Sequence, residues 1–585
     1  MTAAESEPES DVDVRIAAGV VRGRREGGLS VFRGIPYAQP PVGALRFAAP
    51  RPVEGWEGVR DAGEFGPPCP QAAPSLAARP SDAGTRGGDG AEDEGGAWHG
   101  DGGRRDEWLT VNVWTPEPLP GGAETGAGES GAGESGGAPV MVWIHGGAYM
   151  AGSSADPLYD GARLAREGGV VLVTLNYRVG VEGFVSLEGA PENRGLLDQV
   201  AALEWVRENI AAFGGDPGRV TVFGESAGAG SVAALLVMDR AAGLFSRAIA
   251  QSVPGTYFSP GLARDFAAAI AAEVGPDAEA SAADLALVAP GRLIAAGEAV
   301  ARSMPAREDR WGPVAHTSVP YSPVVDGEIL PRAPWEALAD GAARDIEVIT
   351  GHNREEYRLF SAMGGALGRI TEEQALDVLG ALGPVTDSVA AYRTAYPDAS
   401  AETLHELVFS DWLFRMPSLR LAEAHAASGG RTRSYELTWP APGMGGALGA
   451  CHALDVPLTF GNFAGGLAAM LMGQEPPPAA EELSARVRAE WTAFATGAGD
   501  GDGAGDGNGV GASVAGPAAG SAAGPDGAPG GAWPAYDTKE RRVLVLDGTA
   551  NAAVPYPEEA SRRLWEAYAF TALRLPGEGI PASGS

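Results

Sequence analysis

Six short apolar runs, each followed by glycine or a turn residue, place the strongest limit on the fold. Runs of this length and β-branched content are typical of strands buried on both faces. An amphipathic helical pattern separates several of them, most clearly at 195–213, which ends at GGDPG. The alternation predicts an α/β fold with a mostly parallel sheet and helices on both faces. The runs are VMVWIHGG (140–147), VVLVTLNY (170–177), RVTVFG (219–224), RAIAQS (247–252), DIEVITG (345–351) and RVLVLDG (542–548).

Stretches rich in Gly, Ala, Pro and acid interrupt this pattern, and we expect them to be flexible surface inserts. The longest alternates Asp with Gly, but the carboxylate spacing matches neither an EF-hand nor a nonapeptide calcium repeat. The inserts are 72–105, 117–138 and 497–531; they interrupt a single domain predicted over 14–570, with a disordered N-terminus at 1–13 and a tail at 571–585.

Charge and cysteine content exclude several classes of partner and compartment. The chain of 585 residues has 43 basic and 76 acidic side chains and a formal charge of −33, which argues against nucleic acid or an anionic membrane as the main partner. No secretion signal or long apolar segment is found, and two cysteines make no disulfide framework. We therefore expect a soluble cytoplasmic protein.

One serine stands where a strand-turn-helix unit presents a nucleophile. GESAG at 224–228 matches G-x-S-x-G, directly after a predicted strand and before SVAALLVM, which has helical character. The glycines permit a tight turn at Ser226, and the following helix N-terminus favours developing negative charge. The alternative is a polar residue in an ordinary glycine-rich loop.

A second glycine-rich turn supplies hydrogen-bond donors for an oxyanion. In WIHGGAYMAGS (143–153) a buried strand ends in HGG. The N–H groups of Gly146 and Gly147 can point at a carbonyl oxygen together with that of Ala227, and each such donor typically contributes about 3–4 kcal/mol to transition-state stabilisation. An ordinary loop is again the alternative.

The general base is one of only seven histidines. The order serine, acid, histidine along α/β-hydrolase chains disfavours His99 and His145, and His145 is better suited to bracing the oxyanion turn. His452 lies in a loop, GACHALDVPLTFGN, and is the predicted base. The remaining histidines either lie in helical patterns or come too early for an acid to precede them: His405, His425, His316 and His352.

The acid that orients the base is expected just after the strand DIEVIT. There, GHNREEYRLF places Glu355 and Glu356 at the carboxyl edge of the sheet. A carboxylate at this edge would hold the imidazole tautomer and stabilise the imidazolium. The residues alone do not separate the two glutamates, and either can also be a surface charge on the first turn of a helix.

These motifs together resemble the type-B carboxylesterase and cholinesterase family, which includes bacterial para-nitrobenzyl esterases. The resemblance covers about 14–570 and implies the α/β-hydrolase fold. It also implies a triad of Ser226, Glu356 and His452, because the family acid is the second in G-x-N-x-[DE]-E. The motifs are FRGIPYAQPPVGALRF (32–47), LTVNVWTP (109–116), WIHGGAYMAGS, VTLNYRVGVEGF (173–184), 193–232, YSPVVDGEILPR (321–332) and GHNREE.

The same resemblance extends to residues around the triad. It implies Gly146, Gly147 and Ala227 as oxyanion donors, and it places Glu225 and Ser252 as neighbours of the triad.

The chain departs from the family pattern near a family disulfide. Trp108 occupies the position of one cysteine, so Cys69 lacks its usual partner, and we do not expect it to pair with Cys451. Trp98 precedes Trp108 by ten residues, where cholinesterases have a cation-binding aromatic side chain; we do not favour that role here.

The resemblance implies a serine carboxylesterase that hydrolyses small-molecule esters through an acyl-enzyme, with no metal or cofactor. Carbamate or amide hydrolysis by the same triad is the alternative within enzymes. A non-catalytic binding module of the same fold is the alternative from another class, disfavoured because the triad motifs are intact. Monomer and homodimer are both compatible with the pattern.

Overall fold

The computed structural model describes residues 10–72, 104–116, 136–497, 533–549 and 551–579. The inserts predicted at 72–105, 117–138 and 497–531 lie almost wholly outside these residues, as do Trp98 and His99.

Both predicted ends of the domain differ from the structure. The first strand begins at Asp11, inside the N-terminus predicted at 1–13, because its acidic residues face arginines of the next strand and Asp13 binds Arg22 at 2.6 Å. In the predicted tail, the N–H of Leu573 donates to the carbonyl of Tyr257 and its own carbonyl accepts from Ser259.

One large sheet organises the described chain, and all six predicted strands are part of it. Its strand order is β1-β2-β3-β5-β7-β6-β8-β9-β10-β11-β12-β13, with β4 beside β2. The strands are β1 Asp11–Ile16, β2 Gly19–Glu26, β3 Leu29–Pro36, β4 Val59–Asp61, β5 Thr110–Thr115, β6 Ala138–Ile144, β7 Val171–Leu175, β8 Gly215–Glu225, β9 Arg247–Gln251, β10 Glu347–Asn353, β11 Thr432–Leu437, β12 Arg542–Leu546 and β13 Ala552–Pro555.

The strands from β7 to β12 in this order are parallel, and antiparallel strands flank them at both edges. The flanking β1 to β3 and the parallel β11 were not among the predicted strands. Their sequences contain several charged or other polar residues, as in TRSYEL of β11, and therefore lack the continuous apolar run of a central strand.

Helices cover both faces of the sheet, as the α/β pattern predicts. The predicted helix at 195–213 is observed as α3 followed by a 3₁₀ turn at Ile210–Phe213. The helices are α1 Ala162–Gly168, α2 Gly180–Phe184, α3 Arg194–Asn209, α4 Ala227–Leu235, α5 Pro260–Val274, α6 Ala282–Leu285, α7 Pro290–Ser303, α8 Glu308–Trp311, α9 Pro334–Ala339, α10 Arg358–Met363, α11 Glu372–Leu382, α12 Ser388–Ala395, α13 Ala401–Ser410, α14 Met416–Ala427, α15 Asp455–Phe460, α16 Gly466–Met472, α17 Pro478–Thr496 and α18 Glu559–Leu564; a π-helical turn, Asp411–Arg415, joins α13 to α14.

Alternate residues of the central strands enter two separate hydrophobic cores. On β6, Val142 and Ile144 pack with α3 and α4 in one core. Trp143 points the other way, into a core that includes residues of α15 and α17. This period of two explains why a run apolar at every position forms a strand between two helical layers.

Helix α17 also packs against the described chain that begins at Trp533. The rings of Trp491 on α17 and Trp533 are 5.9 Å apart, and the indole N–H of Trp533 donates to the carbonyl of Ser434 on β11. The described residues on either side of 498–532 are therefore neighbours in the fold.

The parallel strands all direct their carboxyl ends to one edge. β6 leads to Gly146, β8 to Ser226, β9 to Ser252 and β10 to Glu356, while His452 comes from the loop before α15. Chemical groups separated by more than 300 residues of sequence thus meet at one edge, where open α/β sheets place their sites.

Candidate active site

Ser226 occupies a strained turn between β8 and α4. Its backbone has φ of 58° and ψ of −124°, a conformation that costs about 1–3 kcal/mol for a residue with a side chain. A Cβ atom at Gly228 would lie 2.0 Å from the carbonyl oxygen of Ile144, and one at Gly224 would lie 2.7 Å from the same oxygen. Both glycines are therefore required for the turn to lie against β6.

The described residues hold the backbone of Ser226 but leave its hydroxyl available. Its N–H donates to the carbonyl of Gln251 and its carbonyl accepts from Gly230, each at 2.9 Å. The side chain is half-buried and, within the described residues, makes no cap hydrogen bond to α4. The hydroxyl is thus presented at the sheet edge rather than used by the helix.

His452 is a buried imidazole held between two carboxylates. Its Nδ1 lies 2.7 Å from Oε2 of Glu356, and its Nε2 lies 3.0 Å from Oε1 of Glu225. Its ring stacks on Phe414 with a centroid distance of 4.2 Å and lies 5.1 Å from Phe360. Burial lowers the pKa of His452, but the two carboxylates outweigh it and raise the pKa to about 9.

Glu356 is completely buried and has a partner for each oxygen. Its Oε1 accepts from the Ser252 hydroxyl at 2.6 Å and from the N–H of Asn353 at 2.8 Å, while Oε2 faces His452. Glu355 turns elsewhere and accepts from the N–H of Ala450 at 2.7 Å. The structure therefore separates the two glutamates that the local sequence left equivalent.

Ser252, at the end of β9, lies beside Glu356. Its φ is 57°, and its N–H donates to the carbonyl of Gly351 at 2.8 Å. This backbone turns the hydroxyl towards the carboxylate, so Ser252 contacts the residue that contacts the imidazole.

Glu225 is the other carboxylate on His452 and directly precedes Ser226. Burial raises its pKa to about 8; the opposing charge of His452 lowers it, and the negative neighbours Asp455 and Glu356 raise it further. The charges of Glu225 and of the His452 imidazole therefore affect each other's pKa.

The glycine turn after β6 lies against Ser226. A Cβ at Gly146 would be 3.3 Å from the Cβ of Ser226, and one at Gly147, whose φ is 118°, would be 2.1 Å from the carbonyl oxygen of Ala151. The N–H groups of Gly146, Gly147 and Ala227 donate to no other described residue. Three amides without an acceptor among the described residues thus lie on the two turns that flank the serine.

His145 and Gln71 stabilise this turn through contacts with its backbone and with neighbouring residues. The ring of His145 stacks on Tyr177 at 4.4 Å, and the Tyr177 hydroxyl donates to the carbonyl of His145 at 2.7 Å. Burial lowers the pKa of His145 to about 4. Gln71 grips Gly152 through both amide atoms, accepting from its N–H at 2.7 Å and donating to its carbonyl at 2.9 Å.

The other described histidines are engaged away from Ser226. His352 lies on β10 near the Tyr556 hydroxyl at 3.1 Å, and His316 lies 3.2 Å from Glu308. His405 and His425 lie on helices α13 and α14, as their sequence patterns predict.

Several residues around the site carry no sequence signal. Phe414 reaches His452 from a π-helical turn, and π-helical turns are often found at functional sites. Gln71 reaches Gly152 across 81 positions of the chain. Phe360 could have been placed near the site from its spacing on the turn after Glu356, whereas Phe414 and Gln71 depend on tertiary packing.

The two cysteines are buried free thiols in different cores. Cys69 packs with Trp108 in the core that contains α3 and α4, and Cys451 lies in the core of α15 and α17. The two thiols thus belong to the cores on opposite faces of the sheet.

Neither a metal centre nor a membrane span is found in the described part of the chain. Its His, Cys, Asp and Glu side chains form no cluster of three suited to a metal ion. Its helices are all too short or too polar to cross a bilayer.

A parallel sheet with a serine on a strand-turn-helix at its carboxyl edge, beside a His–Glu pair, defines an α/β-hydrolase. Comparison with known proteins is more specific: the model of the Carboxylesterase family matches residues 10–565, and the chain belongs to this family.

Individual relatives agree with the family assignment. The chain is 34% identical to the para-nitrobenzyl esterase of Bacillus subtilis (strain 168), over 90% of this chain and 93% of that protein. It is 36% identical to the phenmedipham hydrolase of Pseudarthrobacter oxydans, over 76% and 82%. A solved structure of a PNB esterase superposes with a TM-score of 0.72 at 32% identity, covering 94% of this chain and 99% of that one. The protein is a carboxylic ester hydrolase acting on small-molecule esters.

Proposed function

We propose that the protein cleaves esters with a Ser226-His452-Glu356 triad through an acyl-enzyme. The observation that carries the proposal is the contact of 2.7 Å between Nδ1 of His452 and buried Glu356, at the sheet edge that also holds the strained Ser226. Glu356 fixes the tautomer so that Nε2 is the atom that accepts a proton.

Before His452 can act as the base, its Nε2 atom has to leave Glu225 and contact the Ser226 hydroxyl. In the structure Nε2 of His452 lies 3.0 Å from Glu225, and among the described residues no hydrogen bond joins His452 to the Ser226 hydroxyl. This arrangement suits an imidazolium, which donates from both nitrogens. Loss of the Nε2 proton removes the attraction to Glu225 and frees a lone pair for the serine.

Acylation then follows from the proton movement. As Nε2 takes the hydroxyl proton, Oγ of Ser226 attacks the ester carbonyl, and the N–H groups of Gly146, Gly147 and Ala227 stabilise the oxyanion. The imidazolium gives its proton to the departing alcohol. Water, activated by His452, hydrolyses the acyl-enzyme and restores the serine.

Ser226→Ala tests the nucleophile. We expect hydrolysis of p-nitrophenyl acetate to fall by about 10⁵-fold or more with an unchanged circular dichroism spectrum. A fluorophosphonate probe should label the native protein at Ser226, identified by peptide mass spectrometry, and should not label the variant. Retention of activity by Ser226→Ala would exclude this triad.

The substrate within the ester class is a separate question. Two relatives are named for different compounds, para-nitrobenzyl esters and phenmedipham. A panel of short and long acyl esters, a carbamate and an anilide, compared by kcat/KM, tests our expectation that esters are the best substrates and carbamates or amides poorer ones.

A cytoplasmic location is the companion proposal. Cys69 and Cys451 are both buried thiols without a bridge, which suits a reducing compartment. Fractionation of the producing cell tests it.

A further inference from the structure

The loop that carries His452 runs beside the segment that carries the two glutamates. The N–H of Glu355 donates to the carbonyl of Ala450 at 2.9 Å, and the N–H of His452 donates to the carbonyl of Glu356 at 3.2 Å. The side-chain amide of Asn353 adds a hydrogen bond of 2.8 Å to the carbonyl of Cys451. Each residue from 450 to 452 is therefore tied to the chain just after β10.

The carboxylate of Glu355 closes this connection. Its Oε2 accepts from the N–H of Ala450 at 2.7 Å, so Glu355 binds both backbone groups of one residue. A Cβ at Gly449, whose φ is 61°, would lie 2.9 Å from the same oxygen, so the loop backbone lies directly against the carboxylate.

An ion pair with an arginine does not account for the position of the Glu355 carboxylate. Within the described residues, no arginine or lysine nitrogen lies within ion-pair distance of Glu355, although the neighbouring Arg354 pairs with Glu436 and Glu558. The hydrogen bond to Ala450 is the contact that uses the carboxylate.

The position of that contact matters for the chemistry. Ala450 is two residues before His452, whose imidazole must contact Glu356 at one nitrogen and reach Ser226 with the other. A displacement of about 1 Å in a catalytic group can cost about 10²-fold in rate.

We propose that Glu355 is a positioning residue that holds the His452 loop in register through the Ala450 amide. This inference rests on the proposed triad, in which Glu356 orients the imidazole and Glu355 orients the backbone that bears it. The neighbouring glutamates thus act on the same histidine by different routes.

Two substitutions separate the effect of the length of the Glu355 side chain from the effect of its negative charge. Glu355→Gln keeps the chain length and an acceptor oxygen but removes the charge, whereas Glu355→Asp keeps the charge and withdraws it by one methylene. Asp216→Ala is the control for loss of a backbone-binding carboxylate away from the site: Asp216 accepts from the N–H of Gly218 at 2.8 Å and pairs with Arg219 at 2.9 Å, at the opposite end of the strand that leads to Ser226. The partner strand β6 covers the same stretch with the seven residues Ala138–Ile144, so that end is about 20 Å from the serine at the usual rise per strand residue.

Rates should be measured on p-nitrophenyl acetate and divided by the concentration of active sites that a fluorophosphonate probe titrates. This normalisation removes any loss of folded protein. We expect kcat of Glu355→Asp to fall about 10–100-fold, with KM within about twofold, because the carboxylate touches no substrate. Glu355→Gln should keep kcat within about threefold of the native value, since an amide oxygen also accepts a hydrogen bond. Asp216→Ala should match the native enzyme.

The opposite order, an active Glu355→Asp and an impaired Glu355→Gln, would show that the charge matters and would overturn the proposal. Native kcat per titrated site in both variants would overturn it as well. If Ser226→Ala is inactive in either case, the proposed function stands and only the role of Glu355 is lost.

Discussion

His145 and His452 are both buried at the carboxyl edge of the sheet, yet their pKa values are shifted in opposite directions. His145 stacks on Tyr177, and burial lowers its pKa to about 4. His452 lies between Glu225 and Glu356, which raise its pKa to about 9. Burial is common to both, so the neighbouring carboxylates are what raise the pKa of His452 above that of an ordinary imidazole.

Removing each imidazole is the most severe test of this contrast. His452→Gln should lower kcat/KM for p-nitrophenyl acetate by about 10⁵-fold or more, because no base remains for Ser226. His145→Gln should lower it by about tenfold, through a looser oxyanion turn. Comparable losses in the two variants would contradict the assignment of His452 as the base.

Replacing the orienting carboxylate should have the next largest effect. Glu356→Gln is expected to lower kcat by about 10⁴-fold, because the amide favours the wrong tautomer of His452. Glu355→Gln, one residue earlier, is the matched control and should stay near the native rate. Equal losses would remove the distinction between the two glutamates.

The carboxylate on the other side of His452 should change the pH profile. The base must be neutral, so a pKa raised to about 9 makes kcat/KM of the native enzyme rise with pH towards 9. Glu225→Gln removes one negative charge, lowers this pKa by roughly one to three units, and moves the acidic limb to lower pH. The kcat/KM profile of Glu225→Gln should be measured from pH 5 to 10. If its acidic limb lies at the same pH as that of the native enzyme, an electrostatic role for Glu225 is excluded.

The smallest effect is expected on the His145 side. Tyr177→Phe removes the hydrogen bond to the carbonyl of His145 and should reduce the free energy of unfolding by about 1 kcal/mol in urea titrations. The stacked ring remains, so kcat should change little. A large loss of kcat without loss of stability would move His145 into the chemistry.

The elements predicted from sequence are those with a local signal. Six of the parallel strands were found because they are rich in apolar, β-branched residues and end near glycine or turn residues, and Ser226 because its glycines mark a turn between strand and helix. Glu355 and Glu356 were not separated by local reasoning, since both follow one strand; the family resemblance favoured Glu356, and the fold places that residue on His452.

Contacts made only in the tertiary structure left no such signal. The hydrogen bonds of Gln71 to Gly152 join two distant turns. The family resemblance placed Glu225 beside the triad, but not its contact with Nε2 of His452, which comes from a loop 227 positions later. A π-helical turn that brings Phe414 to the imidazole follows from packing and has no sequence motif of its own.

The contact between Trp491 and Trp533 makes the chain between them a convenient place for engineering. Trp491 lies about 7.5 Å from the end of its helix at the usual rise per residue, so the two described ends are close enough to be joined or separated at little cost. A folded reporter with adjacent termini, inserted between 497 and 533, should therefore be accepted without disturbing the fold.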